Sequence, residues 1–358
     1  MKATERLHSL GQSLWLDNIT RDLLTSGTLQ RYIDDLSVTG LTSNPSIFDN
    51  AIARSASYDA EIRRLTKAGT SGEALFFELA IQDLTKAADM FAPIHQRTAC
   101  VDGWVSLEVS PLLAHDTAKT VAAAKSLHAK AARPNLFIKI PGTLEGLPAI
   151  EEAIFAGVPI NVTLLFSRDD YMRAADAYMS GLERRVAAGL SPDVRSVASV
   201  FVSRWDKATL DKVPGELRDR LGIAVSQQSY KAYRDLLDSE RWQRLEGQGA
   251  RPQRLLFAST STKDPQASDV LYMGALAAPN TVNTVPEETL LAFANHGEVG
   301  AAMRRDGDDC ERVLAGIARA GVDVPALAGQ LQDEGASGFV ASWKDLLAAI
   351  ETKSRALG

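Results

Sequence analysis

The chain has 358 residues, of which 45% are hydrophobic and 23% charged, so it can bury a large core and is not mainly disordered. The net charge is −6, and the sequence contains no stripe of basic residues, which argues against nucleic acid or a membrane surface as a partner. No segment reaches the ~20 apolar residues of a membrane span. The two cysteines, Cys100 and Cys310, are too isolated to form a disulfide framework. We therefore expect a cytoplasmic protein.

Eight short apolar runs of strand length alternate with helical stretches along the chain. Most follow one another at the ~30-residue spacing of a βα repeat, and the two longer gaps predict extra helices. Helical periodicity is clearest from Glu73 to Phe91 and from Phe339 to Ile350. The order predicts one α/β domain over residues 1–358, a single (β/α)8 TIM barrel with additional helices and a helical C-terminal extension from about residue 287. The predicted strands end at or near Asp17, Asn44, Glu108, Lys139, Thr163, Phe201, Ser259 and Asn283.

Alternate residues of a strand face opposite sides, which predicts the side chains that enter the barrel. In LFIKI, Leu136 and Ile138 share the outward parity, so Lys139 points inward. The same count turns Val162 and Leu164 outward. The inward polar side chains predicted in this way are Asp17, Ser106, Glu108, Lys139, Asn161 and Thr163. They collect at the carboxyl ends of the strands, where barrel enzymes place their chemistry.

Lys139 is the most informative of these residues. Burial disfavours an ammonium ion, and a partly deprotonated amine attacks a ketone to form an imine. The protonated imine accepts electrons when a neighbouring carbon–carbon bond breaks. The residues alone leave open a second interpretation, a structural lysine paired with a carboxylate.

Two long motifs favour the first interpretation, although a resting ion pair of Lys139 with Glu108 is compatible with it. The segment LFIKIPGTLEG around Lys139 and the segment GLTSNPSIF from Gly40 to Phe48 resemble the signatures of the transaldolase family. Further similarity, in WVSLEVSP, NVTLLFS and SVFVSR, covers most of the chain. The resemblance implies transfer of a dihydroxyacetone unit from sedoheptulose 7-phosphate to glyceraldehyde 3-phosphate, in the non-oxidative branch of the pentose phosphate pathway.

The resemblance also implies roles for the polar residues. Lys139 matches the Schiff-base lysine, and Asp17 matches the carboxylate that handles the proton of the C4 hydroxyl. Glu108 and Thr163 match the pair that holds a catalytic water. Asn44 and Asn161 match the amides that bind hydroxyls of the dihydroxyacetone unit, although Asn44, before a proline, is also a typical turn residue.

The predicted phosphate site matches the family in one part and departs from it in another. Ser199 and Arg204 match its phosphate-binding residues, and Phe201 lies between them. Many transaldolases carry a second arginine after the seventh strand, where this chain reads FASTSTKDP. Lys263 is the candidate replacement, and Ser259 and Ser261 are alternatives.

Two other functions compete with transfer. A related fructose 6-phosphate aldolase releases free dihydroxyacetone, but such relatives tend to carry Gln in place of Glu108 and Tyr in place of Phe201. A sugar-phosphate-binding barrel without catalysis is the second rival, because fold alone does not prove function. The combination of Lys139, Asp17, Glu108 and Thr163 argues against it.

Neither a metal nor a cofactor is expected. The five histidines show no metal-ligand spacing, and the chain has neither a P-loop nor a dinucleotide-binding fingerprint. The expected partners are small sugar phosphates, and the expected oligomeric state is a monomer or homodimer.

Overall fold

A computed structural model describes residues 1–357 of the chain. Its centre is a closed barrel in which eight parallel strands pair in chain order, β1 with β2 and onward until β8 closes on β1. The predicted (β/α)8 barrel is therefore confirmed. The strands are β1 (Gln12–Asp17), β2 (Val38–Thr42), β3 (Val105–Glu108), β4 (Leu136–Pro141), β5 (Ile160–Leu165), β6 (Ser196–Phe201), β7 (Arg254–Ala258) and β8 (Thr281–Val285).

The helices surround the barrel and occupy the long gaps as predicted. Three lie between β2 and β3, and three lie between β6 and β7. The predicted helix from Glu73 lies within α6, and the one from Phe339 lies within the much longer α16. The helices are α1 (Ala3–Ser9), α2 (Arg21–Thr25), α3 (Thr28–Leu36), α4 (Pro45–Arg54), α5 (Asp59–Lys67), α6 (Gly72–Arg97), α7 (Thr117–Ala131), α8 (Gly146–Phe155), α9 (Arg168–Ala187), α10 (Ser203–Thr209), α11 (Leu221–Leu237), α12 (Glu240–Gly247), α13 (Leu271–Ala275), α14 (Glu287–His296), α15 (Cys310–Arg319) and α16 (Val324–Leu357).

The strands separate two apolar layers. Outward residues such as Leu136 and Ile138 pack against the helices, while Trp15, Trp104 and Phe137 fill the barrel interior. The rings of Trp104 and Phe137 stack with centroids 4.0 Å apart. Because large aromatic rings occupy the lower interior, the carboxyl end of the barrel is left for polar side chains.

Two details of the strands differ from the sequence prediction. β2 ends at Thr42, two residues before Asn44, because Asn44 caps α4 instead of extending the strand. The outward assignment of Leu164 is wrong. The pairing of β5 with β6 shifts register between Val162 and Leu165, and Leu164 takes a left-handed φ of 58°. Its side chain therefore leaves the outer layer and packs in the cluster that holds Phe166 and Leu331 of α16.

Helix α16 crosses the carboxyl end of the barrel. Near its start, Gln332 Nε2 donates to the carbonyl oxygen of Leu164 at 2.9 Å. In its middle, the Trp343 ring packs edge-on against Phe76 of α6 at a centroid distance of 5.0 Å. Near its end, Lys353 Nζ pairs with Asp59 Oδ1 at 2.8 Å. The helix is thus fixed at three points along its length.

None of the helices within residues 1–357 combines the length and the hydrophobicity that a membrane span requires.

Gly40 gives a test of this packing, because β2 runs close to the tryptophans inside the barrel. A Cβ atom at Gly40 would lie 2.6 Å from the carbonyl oxygen of Trp104 and 2.7 Å from Nε1 of Trp15. We expect Gly40→Ala to lower the free energy of unfolding by about 1–3 kcal/mol through overpacking, measured as a lower thermal midpoint by calorimetry.

Gly247→Ala is the matched control, because nothing lies within 4 Å of a Cβ there. Its thermal midpoint should not fall. A Gly40→Ala protein that melts with the wild type would contradict the close approach.

Candidate active site

A cavity of about 380 Å³ opens at the carboxyl ends of the strands. It is lined by every residue predicted for the site except Glu108, which is buried beside Lys139. The structure therefore brings the predicted residues together. The predicted residues that line it are Asp17, Asn44, Lys139, Asn161, Thr163, Ser199, Phe201, Arg204 and Lys263.

Lys139 lies at the base of the cavity with only 6% of its surface exposed. Parallel pairing of β3 with β4 sets it beside Glu108, and its Nζ is 3.4 Å from Glu108 Oε2. The same Nζ donates to the carbonyl oxygen of Ser43 at 3.0 Å. These two contacts fix the direction of the amine. They leave its nitrogen accessible from the cavity, as a nucleophile requires.

Asp17 faces the same cavity from β1. Its Oδ1 accepts from Thr42 Oγ1 at 2.9 Å, and Thr42 Oγ1 lies 2.8 Å from Thr284 Oγ1. Burial raises the pKa of Asp17, against the opposing effects of the positive charge of Lys139 and the Thr42 hydrogen bond. A carboxyl group of this kind can hold or release a proton closer to neutral pH than an exposed aspartate.

Glu108 and Thr163 flank Lys139 on the two neighbouring strands. Burial raises the pKa of Glu108, while the nearby Lys139 charge and hydrogen bonding lower it. Both Glu108 Oε2 and Thr163 Oγ1 are buried; the first has only the 3.4 Å ion-pair contact with Lys139 Nζ, and the second has no hydrogen-bond partner among residues 1–357. Such atoms are costly unless a water or substrate binds them. Their positions suit a shared water next to the amine.

The amide side chains differ in how much of their bonding capacity is free. Asn161 is fully buried, donates to Ser106 Oγ at 3.2 Å and accepts from Ser199 Oγ at 2.7 Å. The hydroxyl proton of Ser199 is therefore used within the protein. Asn44 Oδ1 accepts from the backbone amide of Ile47 at 3.1 Å, which caps α4. The two interpretations of Asn44 are compatible, since the cap uses its oxygen and leaves its NH2 group beside the cavity.

Two cations lie at the far end of the cavity. The Arg204 guanidinium stands over the Phe201 ring at 5.2 Å, and its side chain makes no hydrogen bond within residues 1–357. Lys263 Nζ donates to Ser261 Oγ at 2.6 Å. Burial lowers the pKa of Lys263, and the positive charges of Lys207 and Arg204 lower it further. Cations that repel one another in this way favour an anion between them.

Sequence reasoning missed several residues of the cavity. The inward parity of β2 and β8 would have found Thr42 and Thr284, because both follow the same two-residue alternation. No local pattern could have found Gly338, Phe339 and Ser342, which line the cavity from α16. Their place depends on how a helix remote in sequence crosses the barrel.

The described residues include no group of three or more histidine, cysteine, aspartate or glutamate side chains placed to hold a metal ion. The polar groups of the cavity are instead an amine, carboxyls, amides, hydroxyls and a guanidinium. This set suits a polyhydroxylated ligand that carries a carbonyl and a phosphate.

Comparisons with known proteins agree with this chemistry. The sequence profile of the family described as Transaldolase/Fructose-6-phosphate aldolase matches residues 14–350. A protein named Transaldolase from Frankia alni is 44% identical over 354 residues, which cover 96% of this chain and 95% of that protein. Proteins of the same name from Saccharopolyspora erythraea and Thermobifida fusca are each 43% identical, covering 97% and 96% of this chain and 96% of each relative. The chain therefore belongs to the transaldolase/fructose-6-phosphate aldolase family.

Proposed function

We propose that the protein is a transaldolase that moves a dihydroxyacetone unit from sedoheptulose 7-phosphate to glyceraldehyde 3-phosphate. The products are erythrose 4-phosphate and fructose 6-phosphate. The observation that carries the proposal is the buried amine of Lys139, which shares one cavity with Asp17, Thr163 and the free guanidinium of Arg204. The name Transaldolase on relatives 43–44% identical over nearly the full chain supports the same activity.

The first half of the reaction forms the imine and breaks the bond. Lys139 Nζ attacks the C2 ketone, and the carbinolamine loses its hydroxyl as water, with proton transfer through Glu108 and the water that it shares with Thr163. Asp17 then takes the proton of the C4 hydroxyl as the C3–C4 bond breaks. The bond electrons move into the protonated imine, which becomes an enamine, and the aldehyde product leaves.

The second half runs the same steps backwards with a new aldehyde. The enamine carbon attacks the acceptor carbonyl, and Asp17 returns its proton to the new hydroxyl. Water then hydrolyses the imine and restores the amine. Because the imine itself is the electron sink, this chemistry needs no cofactor or metal.

The substrate lies along the cavity with its ketone at Lys139 and its phosphate at Arg204. A guanidinium without a protein partner offers a bidentate donor pair to phosphate oxygens, and Lys263 adds a second cation. Ser199 belongs with the hydroxyl-binding group of Asn161, because its proton already goes to that amide. This grouping revises its expected role as a phosphate ligand.

Transfer is favoured over the aldolase reaction by Glu108 and Phe201. Free dihydroxyacetone forms only if the enamine is protonated and the imine hydrolysed before an aldehyde arrives. Phe201 presents an apolar ring to the cavity and supplies no proton. The proposal includes a cytoplasmic monomer or homodimer whose ligands are sugar phosphates and not nucleic acid.

We expect borohydride, added with fructose 6-phosphate, to attach one reduced three-carbon unit to Lys139, because only an imine is reduced to a stable amine. Peptide mapping by mass spectrometry would locate the unit. Lys139→Ala should lose essentially all activity and all label.

The matched control is Lys139→Arg, which keeps a positive charge near Glu108 but cannot form an imine. It should be as inactive as the alanine variant. A label on a different lysine, or an active arginine variant, would remove the central assignment.

Arg204→Ala should chiefly raise KM for phosphorylated substrates, by roughly 10- to 150-fold, the 1.5–3 kcal/mol of a charge-assisted contact. Steady-state kinetics with fructose 6-phosphate as the varied substrate measure this KM. Lys212→Ala removes an exposed charge three residues after the end of α10, outside the cavity, and should change KM little. Equal KM values for Arg204→Ala and the wild type would place the phosphate elsewhere.

Phe201→Tyr should raise the release of free dihydroxyacetone relative to transfer, because it places a phenolic proton donor at the cavity wall. Both products are assayed from fructose 6-phosphate, with and without erythrose 4-phosphate. Phe201→Leu, which stays apolar, should not raise release. A wild type that releases dihydroxyacetone as fast as it transfers it would favour the aldolase.

A further inference from the structure

The C-terminal helix α16 contacts the Arg204 side chain at a glycine, Gly335, one turn before the residues with which it lines the cavity. Gly335 is buried at the point where the helix crosses Arg204 and Leu164. A Cβ atom built there would lie 3.0 Å from Nη1 of Arg204 and 2.9 Å from Cδ2 of Leu164. These separations are shorter than ordinary van der Waals contact. The helix backbone thus rests directly on the guanidinium.

The guanidinium also stands over the Phe201 ring, whose centroid is 5.2 Å from Cζ of Arg204. The carboxylate of Glu334, next to Gly335, acts on Arg204 through its charge. Arg204 makes no hydrogen bond to any of residues 1–357, so packing and charge hold it in place. Its donors are consequently free for a ligand.

We propose that Gly335 is a positioning residue for the phosphate site, and that its missing side chain lets α16 hold the Arg204 guanidinium against Phe201 in the direction of the cavity. The inference rests on the proposed function, since it assigns a part of the same site. It makes the C-terminal helix a determinant of phosphate recognition that contacts the arginine without contacting Lys139.

The anchors of α16 decide which atoms move when the contact is crowded. Gln332 fixes the helix to the carbonyl oxygen of Leu164 three residues before Gly335, and Trp343 is buried against Phe76 eight residues after it. An added methyl group would crowd both Cδ2 of Leu164 and Nη1 of Arg204. Leu164 is packed at 1% exposure, so its Cδ2 can give only slightly. The guanidinium is the end of a flexible side chain beside open cavity, so it makes the larger displacement.

The test compares Gly335→Ala with Gly329→Ala. Both changes replace a glycine of α16 by alanine and raise helix propensity equally, but nothing lies within 4 Å of a Cβ at Gly329. We expect Gly335→Ala to raise KM for fructose 6-phosphate about tenfold with kcat little changed, as for a displaced charged contact. Gly329→Ala should keep the wild-type KM.

Dihydroxyacetone, which carries no phosphate, provides the second readout. Borohydride trapping of dihydroxyacetone on Lys139 should proceed alike in the wild type, Gly335→Ala and Gly329→Ala. No trapping in the wild type would defeat the proposed function. Normal trapping together with an unchanged KM for fructose 6-phosphate in Gly335→Ala would overturn the positioning role alone.

A double-mutant cycle with Arg204→Ala separates positioning from general damage to the helix. If Gly335 acts through Arg204, Gly335→Ala should raise KM no further once the guanidinium is absent. An additive increase in the double variant, or impaired trapping of dihydroxyacetone in Gly335→Ala, would mean that α16 has moved as a whole and would overturn the proposal.

Discussion

The site depends on the burial of one amine beside one carboxylate. Lys139 and Glu108 are each only 6% exposed, and burying two charges is tolerated only when they compensate each other. The parallel pairing of β3 with β4 meets this condition, because it sets the two residues in register on strands adjacent in the barrel. The carbonyl oxygen of Ser43 supplies the remaining contact to the amine. Everything else in the cavity is arranged around an amine whose direction this pair fixes.

Aromatic side chains fill the barrel interior below the site and support this arrangement. Stacked Trp104 and Phe137 fill the interior, and Trp15 Nε1 donates to the buried Asp102 at 2.7 Å. Phe137 precedes Lys139 by two residues on β4, so an aromatic ring fills the interior directly below the lysine, and the amine contacts Ser43 and Glu108 instead. Gly40 allows β2 to approach these rings, which gives the one glycine of the GLTSNPSIF segment a packing role besides its place in a motif.

The sequence predicts the parts of the site that regular strands create. Lys139, Glu108 and Asn161 follow from two-residue alternation, and the structure places all three inside the barrel. The same rule fails at Leu164, where a bulge with a left-handed residue reverses the side chain, a feature that no apolar pattern encodes. The residues from α16 escape prediction for a different reason. Helical periodicity identifies an apolar face but not the part of a distant barrel that it will cover.

The two ends of the cavity differ in the same way, because strands place the residues of one end and the distant helix α16 contributes to the other. The carbon–carbon chemistry rests on side chains fixed by neighbouring strands, so it depends on contacts that the barrel cannot lose without losing its sheet. The end where we propose that phosphate binds rests on Arg204, which no hydrogen bond within residues 1–357 holds, and on the helix that packs against it. Packing contacts of a single helix can change one residue at a time without altering strand register. If the proposed positioning role of α16 holds, the barrel can keep its imine chemistry while the helix alters which phosphorylated chain the cavity accepts.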